Sequence, residues 1–206
     1  MARHKDSFNY PKVELHCHVG GSFRPQTFLE LAMEKEIDLD KIDFYNVNIE
    51  TAFNFFIVGS QLVQDLVTLR RIVRELIEDY GKQQTKYLEI RSTPKAYKQA
   101  GGSNKQPSTK MDYIRAIVNE IELAEEQNDK IKVRYIVSID RTKSVEEARE
   151  NVEMCVAARK ETSLVVGIEL SGDPRKGSFA EMQPVFEEAR AEHGLKISLH
   201  CAEVEE

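Results

Sequence analysis

Tryptophan is absent from this 206-residue sequence, and cysteine, proline and glycine are scarce, with 3, 6 and 10 residues. Cys17, Cys155 and Cys201 are odd in number and form no CxxC pair, which argues against a disulfide framework and is typical of free thiols in a reducing compartment. No apolar run approaches the roughly 18 residues of a membrane span, and residues 1–10 contain no apolar core of signal-peptide length. We therefore predict a cytoplasmic protein that does not bind a membrane.

Positive charge is the other shortage, because 29 Lys and Arg residues stand against 35 Asp and Glu and leave a formal net charge of −6. Binding to nucleic-acid phosphates needs Lys and Arg clustered on one face, so we expect no nucleic-acid partner and favour a small-molecule ligand. The 41% hydrophobic and 31% charged fractions are typical of a folded domain. We predict a single domain over residues 1–206, with residues 1–10 disordered and residues 99–109 forming a flexible loop.

Five short, largely apolar runs alternate with longer helical stretches. The runs lack strict alternation of apolar and polar residues, which indicates strands covered on both faces in a parallel sheet. They are residues 13–18, 86–91, 132–140, 164–170 and 196–200. Residues 65–82 place leucine, valine and isoleucine on one side of a predicted helix. Ser144, with Glu147 three residues later, has the form of a capping box that begins another helix.

Alternating strands and helices allow two architectures, an open doubly wound sheet or a (β/α)8 barrel. No glycine-rich phosphate-binding motif follows the first strand, and this absence weakens the nucleotide-binding form of the open sheet. The residues at the carboxyl ends of the strands distinguish the two architectures, because a barrel enzyme builds its active site there.

Histidines stand at the ends of the first and fifth predicted strands. His16 and His18 are two residues apart, so their side chains point to the same side and can share a metal ion; two ordinary histidines are the alternative. His200 adds a third imidazole, and a nitrogen-rich set of this kind suits Zn2+. Glu203 follows three residues later and either moves protons or is a solvated acid in an acidic tail.

The other three strands also run into polar residues. The second is followed by RSTPK (residues 91–95), the third ends at Asp140, and the fourth ends in SGDP (residues 171–174). Hydroxyls and a lysine suit a phosphate or a ribose, and a glycine lets a flat ring approach the backbone. Taken alone, each segment has the turn-forming residues that are expected after any strand. Because all five strands end in residues capable of chemistry, the sequence favours the barrel.

Five segments in a fixed order resemble the adenosine deaminase superfamily. They are PKVELHCHVGGSFRP, YLEIRSTPK, VRYIVSIDR, VVGIELSGDP and LKISLHCAEVEE. The likeness runs from about Pro11 to the last residue, and RSTPK favours the branch that acts on N6-methyl-AMP. The resemblance implies an α/β fold of the (β/α)8 TIM-barrel family with about the first five β/α units present, as one partial metal-dependent hydrolase domain.

The resemblance also implies roles for individual residues. His16, His18 and His200 match the ligands of one Zn2+ ion, and Glu203 matches the acid that protonates the purine ring while activated water attacks the carbon bearing the amine. Gly172 would contact the purine edge. The substrate contacts that the resemblance implies are His18, Gly20, Ser60, Ser92, Thr93, Pro94, Lys95, Asp140 and Gly172.

Some positions depart from the family pattern or stay open. Gly20 stands where the family has an Asp or Asn that touches the sugar, and Ser60 stands where the N6-methyl-AMP branch commonly has a histidine. Phe53 and Phe56 either line the base pocket or pack in the core. The family's later histidine and eighth-strand aspartates, one of them a zinc ligand, have no counterpart, and a complete barrel takes roughly 250 residues. We expect a fragment, an isoform or a remnant of a longer protein that is monomeric when complete.

These features predict the zinc-dependent hydrolytic deamination of a purine nucleotide, with N6-methyl-AMP giving IMP and methylamine. The first alternative is an adenosine deaminase that acts on the free nucleoside, which the hydroxyl-rich, lysine-bearing RSTPK segment disfavours. The second alternative is a non-catalytic truncated product that binds zinc or a partner.

Overall fold

The computed structural model describes residues 10–39, 48–103, 105–127 and 130–204. The disorder predicted for residues 1–10 falls almost wholly outside the described residues. The strands are β1 (Lys12–His18), β2 (Thr85–Ser92), β3 (Lys132–Asp140), β4 (Val165–Ser171) and β5 (Lys196–Leu199), and the α-helices are α1 (Pro25–Glu34), α2 (Ile49–Leu62), α3 (Leu66–Lys82), α4 (Lys110–Gln127), α5 (Val145–Glu161) and α6 (Phe179–His193). All five predicted strands are confirmed, with bounds that differ by one residue at most.

The strands form one parallel sheet in the order β1-β2-β3-β4-β5. An open doubly wound sheet reverses its strand order at a switch point, whereas a barrel adds each strand beside the one before it. The sequential order therefore decides between the two predicted architectures in favour of the barrel.

The sheet is strongly curled. Four strand spacings would separate β1 and β5 by about 19 Å in a flat sheet. The Nε2 atom of His18, at the end of β1, nevertheless lies 3.0 Å from the Nε2 atom of His200, which follows β5. The five strands therefore form a curled half-barrel, and their carboxyl ends face a common centre.

Local signals set the helix starts on the outside of the sheet. The Asp65 carboxylate accepts a hydrogen bond from the Thr68 backbone N–H at 2.7 Å, so Asp65 caps α3 instead of belonging to it. The Ser144 hydroxyl accepts from the Glu147 backbone N–H at 3.2 Å and caps α5 as predicted. Within the described ranges, none of the helices has the length and apolar composition that a membrane span requires.

The predicted loop at residues 99–109 is hydrogen-bonded to its surroundings in its described part. The Ala100 N–H donates to the Gln106 carbonyl at 2.8 Å, and the Ser108 N–H donates to the Tyr97 carbonyl at 2.9 Å. The Leu66 N–H, at the start of α3, donates to the Ala100 carbonyl at 3.0 Å. The segment therefore packs against the helix that precedes β2.

Among the described residues, no helix covers the outer face of β1 in the way that helices cover the central strands. Val13 is 64% exposed and Leu15 is 54% exposed, whereas Ile90 on the neighbouring strand is fully buried. Cys17, further along β1, is buried and its thiol lies 3.3 Å from the Ser22 hydroxyl. The apolar layer between sheet and helices therefore ends at the free edge of β1.

Candidate active site

The structure brings His16, His18 and His200 together. Their Nε2 atoms lie 3.0 Å apart for His16 and His18, 2.9 Å for His16 and His200, and 3.0 Å for His18 and His200. In the part of the chain that the structure describes, these residues are the one group of three or more His, Cys, Asp or Glu side chains arranged to hold a metal ion. We call them the histidine cluster.

Hydrogen bonding fixes the tautomer of one member of the histidine cluster. The Nδ1 atom of His200 lies 2.7 Å from the Leu170 carbonyl oxygen. Because a carbonyl oxygen only accepts, Nδ1 carries the proton, and the Nε2 atom of neutral His200 presents a lone pair to the centre of the cluster. Three nitrogens in mutual contact cannot alternate donor and acceptor around a triangle, so hydrogen bonding alone leaves at least one pair mismatched.

Burial keeps the neighbouring rings neutral. Burial, together with His200 and His16, lowers the pKa of His18 to about 3. Burial, followed by the charge of Arg91, also lowers the pKa of His16. Neutral imidazole is the form that binds a metal ion. Three nitrogen ligands at 2.0–2.1 Å around a tetrahedral zinc ion lie about 3.3 Å from one another, so the histidine cluster fits Zn2+.

A buried polar network lies beneath the histidine cluster. The Arg91 guanidinium donates to the Glu169 carboxylate and to the Leu15 carbonyl, and the Ser138 hydroxyl donates to the same carboxylate at 2.6 Å. Burial raises the pKa of Glu169, and Ser138 and Arg91 oppose that rise. Sequence reasoning did not single out Glu169 or Ser138; the available signal was a polar residue inside each of the apolar runs VVGIELS and YIVSID.

The side chain of Arg141 connects the ends of β4 and β5. Its guanidinium donates to the His200 carbonyl at 2.9 Å and to the Ser171 carbonyl at 3.3 Å. A carboxylate oxygen of Glu203 lies 4.0 Å from the same guanidinium. Arg141 therefore fixes the backbone at His200 and faces the predicted proton donor.

Three predicted substrate residues form a second group, at the ends of β2, β3 and β4. The Asp140 carboxylate accepts from the Thr142 backbone N–H at 2.9 Å, and a Cβ atom added to Gly172 would lie 2.1 Å from an Asp140 carboxylate oxygen. Burial and the nearby charge of Lys143 lower the pKa of Lys95, while Asp140 raises it. A cationic side chain is therefore held, partly desolvated, beside Asp140.

The remaining RSTPK positions differ in their surroundings. Ser92 is buried, and its hydroxyl lies 3.2 Å from the Tyr135 hydroxyl. Because successive side chains of a strand point to opposite faces, the inward position of Arg91 turns Ser92 toward the helices. Thr93 is half-buried and Pro94 is buried. The role of these three residues as substrate contacts stays a prediction.

The rest of the predicted contacts lie at or just after the end of β1 and on α2. Gly20 is exposed, and a Cβ atom there would meet no atom of the described residues within 4 Å. The exposed Ser60 hydroxyl donates to the Ile57 carbonyl at 2.7 Å within α2. The Phe56 ring lies 6.5 Å from the His18 ring between centroids, and Phe53 contacts Phe56 edge-on. An aromatic surface therefore adjoins the histidine cluster.

A parallel β/α half-barrel that gathers imidazoles at the carboxyl ends of its strands has the architecture of the catalytic face of a barrel enzyme. The chain belongs to the adenosine deaminase family: the family described as Adenosine deaminase matches residues 11–206.

Relatives of the chain are known by sequence and by structure. The N6-mAMP deaminase of Arabidopsis thaliana is 33% identical over 223 residues, which cover 94% of this chain and 60% of the relative. A crystal structure of Arabidopsis ADAL complexed with GMP has 32% identity and a TM-score of 0.85 over 98% of this chain and 61% of that one. A Burkholderia ambifaria amidohydrolase with bound Zn has 25% identity and a TM-score of 0.77 over 98% and 55%. The chain thus spans about 60% of the length of the Arabidopsis relative and of the Arabidopsis chain in the crystal structure.

Proposed function

We propose that this chain carries the zinc-binding and base-binding part of a purine nucleotide deaminase, which converts N6-methyl-AMP and water to IMP and methylamine. The observation that carries the proposal is the convergence of three Nε2 atoms within 3.0 Å at the carboxyl ends of the strands. The N6-mAMP deaminase of Arabidopsis and the ADAL structures with GMP and IMP support a nucleotide ligand.

The residues at and around the histidine cluster have different roles in the proposed reaction. One zinc ion held by His16, His18 and His200 would supply the Lewis acid that makes water nucleophilic near neutral pH. Glu203 gives a proton to the purine ring nitrogen, because negative charge develops on the ring as the water attacks. The backbone at Gly172, which lacks a side chain, lets the purine edge approach.

The phosphate of the nucleotide is assigned to Thr93 and Lys95. A phosphate entering beside Lys95 offsets the burial and the repulsion from Lys143 that now lower the pKa of this lysine. A free nucleoside offers no such compensation. This difference is the basis on which we favour the nucleotide over adenosine as substrate.

The substrate class is tested with matched lysine variants of the complete enzyme. We expect N6-methyl-AMP to be deaminated faster than adenosine, and Lys95→Met to reduce that preference. Lys98→Met, at an exposed position on the same loop, is the control and leaves the preference unchanged. A complete enzyme that prefers free adenosine would show that the phosphate assignment is wrong.

The role of Glu203 is tested by Glu203→Gln in the complete enzyme. The amide keeps the size of the side chain but cannot readily donate a proton, so turnover falls by about 10²–10⁴-fold, the usual value of a general acid. Zinc content and substrate affinity stay near their wild-type values. Glu192→Gln, on the exposed side of α6, is the control. Normal turnover in Glu203→Gln would refute the assignment.

A zinc-binding product without turnover is the second candidate, and the exposed outer face of β1, where Val13 is 64% exposed and Leu15 is 54% exposed, favours it. Zinc content and IMP formation are measured on the same preparation of the 206-residue chain. Bound zinc without IMP formation supports this candidate, whereas IMP formation at an enzyme-like rate refutes it. We also propose that the complete protein is a cytoplasmic monomer, which suits the three free thiols.

A further inference from the structure

The buried carboxylate of Glu169 faces the back of the histidine cluster. One of its oxygens lies 4.0 Å from Nδ1 of His18, and the other lies 3.9 Å from Nδ1 of His200. Both rings point their Nε2 atoms at the centre of the cluster, so the carboxylate faces their Nδ1 sides. Nδ1 of His200 already donates to the Leu170 carbonyl at 2.7 Å, so Nδ1 of His18 is the nitrogen that the carboxylate faces for orientation. Metal-ligating histidines are generally oriented through that second nitrogen by a carboxylate or a carbonyl.

Arg91 ties this carboxylate to the third histidine through the backbone. The pairing of β1 with β2 is irregular between Glu14 and Cys17, and irregularities of this kind re-aim side chains. The Leu15 carbonyl lies within that stretch and accepts a hydrogen bond from the Arg91 guanidinium. The same guanidinium donates to Glu169. Arg91 therefore fixes the strand immediately before His16 relative to the carboxylate on β4.

Stability alone gives a weak reason for this ion pair. Arg91 is 2% exposed and Glu169 is fully buried, and the loss of hydration on burying two charges often exceeds the attraction that they gain. The Nε atom of Arg91 also has no hydrogen-bond partner among the residues that the structure describes. A role at the metal site accounts for both the cost and the position of the pair, since the pair contacts or faces both strand ends that carry the histidines, those of β1 and β5.

We infer that Glu169 is a positioning residue, held by Arg91 and Ser138, that orients the imidazole of His18 for the metal ion, while its charge beside His18 and His200 strengthens both rings as ligands. This inference rests on the zinc site of the proposed function. It assigns to the Arg91–Glu169–Ser138 network a role that a purely structural ion pair would not have, namely control of metal affinity.

The test compares two buried carboxylates that both pair with arginine. Glu169→Gln should weaken Zn2+ binding by about 10–100-fold, the usual effect of losing such a partner, and should change the visible spectrum of the Co2+-substituted chain. Glu120→Gln is the matched control, because Glu120 is 3% exposed and pairs with Arg70 and Arg74 between α3 and α4. Zn2+ affinity is measured on the 206-residue chain by competition with a chelator, and the control should retain the wild-type value.

Ser138→Ala is the second variant, since Glu169→Gln leaves the buried Arg91 charge with only the more distant Glu89 carboxylate, at 3.9 Å, and can unfold the chain. Ser138→Ala keeps both charges and removes one hydrogen bond that fixes the carboxylate. Ser138→Ala should lower Zn2+ affinity by a smaller factor than Glu169→Gln does. It should also change the melting temperature of the metal-free chain less than Glu120→Gln does. Wild-type affinity in Ser138→Ala, and in Glu169→Gln if it folds, overturns this inference and leaves the zinc site standing. A wild-type chain that binds no zinc overturns the proposed function and the inference together.

Discussion

The contact between Gly172 and Asp140 makes a quantitative prediction for Gly172→Ala. Gly172 has a φ of +94°, where a residue with a side chain is strained by about 1–3 kcal/mol. The new Cβ atom would lie 2.1 Å from a carboxylate oxygen of Asp140, so the carboxylate must move. It then loses its hydrogen bonds from the Thr142 backbone and hydroxyl, at 2.9 and 2.8 Å, which adds about 1 kcal/mol.

Gly172→Ala should therefore lower the free energy of unfolding by about 2–4 kcal/mol, which corresponds to a fall in melting temperature of roughly 5–15 °C for a chain of this size. Gly194→Ala isolates the backbone component, because Gly194 has a φ of +60° but the added Cβ would have no atom within 4 Å in the described part of the chain. That control should lose only about 1 kcal/mol or slightly more. Thermal unfolding of the metal-free chain, followed by circular dichroism in the presence of a chelator, measures both variants.

A double variant separates the steric clash with Asp140 from the backbone strain at position 172. Asp140→Ala removes the carboxylate that the new methyl group meets, so Gly172→Ala should cost less in the Asp140→Ala background than in the wild type. The coupling between the two changes should be about 1 kcal/mol or more. If Gly172→Ala is no less stable than Gly194→Ala, or if the two changes are additive, the reasoning from this contact is refuted.

The remaining predictions concern the metal ligands, a helix cap and the hydrogen bond from Arg141 to the backbone at His200. His16→Ala should lower the zinc content of the chain below one ion, measured by atomic absorption, whereas His193→Ala at the exposed end of α6 should not. Ser144→Ala should lower the free energy of unfolding in urea by about 1 kcal/mol, the usual value of a helix cap; no change would mean that the cap is redundant. Arg141→Met should weaken zinc binding in the same chelator competition, because the guanidinium no longer holds the backbone at His200; unaltered affinity would contradict that role.

The sequence predicts the strands and the histidine cluster for a common physical reason. A strand buried on both faces must be an apolar run, and the two-residue spacing of His16 and His18 places both rings on one side. The third member, His200, is 184 residues away from His16 in sequence. Placing it opposite the other two needed the barrel architecture, which strand spacing alone does not give.

The polar network could not be predicted in the same way. A charged residue within an apolar run, such as Glu169, shows that something compensates the charge but does not identify the partner. Its partner Arg91 lies 78 residues earlier, on a strand two positions away in the sheet. Ser92 is a related case: the motif does not show the alternation along β2, which places the Ser92 hydroxyl 3.2 Å from the Tyr135 hydroxyl, and its role as a substrate contact stays a prediction.

The great sequence separation within the histidine cluster has a consequence for folding. Strands pair with their sequence neighbours throughout the sheet, so most of the structure grows by local additions. The contacts of His16 with His200 instead close a loop of 184 residues, and closing a loop of that length costs roughly 4–5 kcal/mol of chain entropy unless the intervening strands are already in place. The cluster therefore forms after the sheet has curled. A metal ion bound there would connect the first strand to the last and so stabilise the curvature of the sheet.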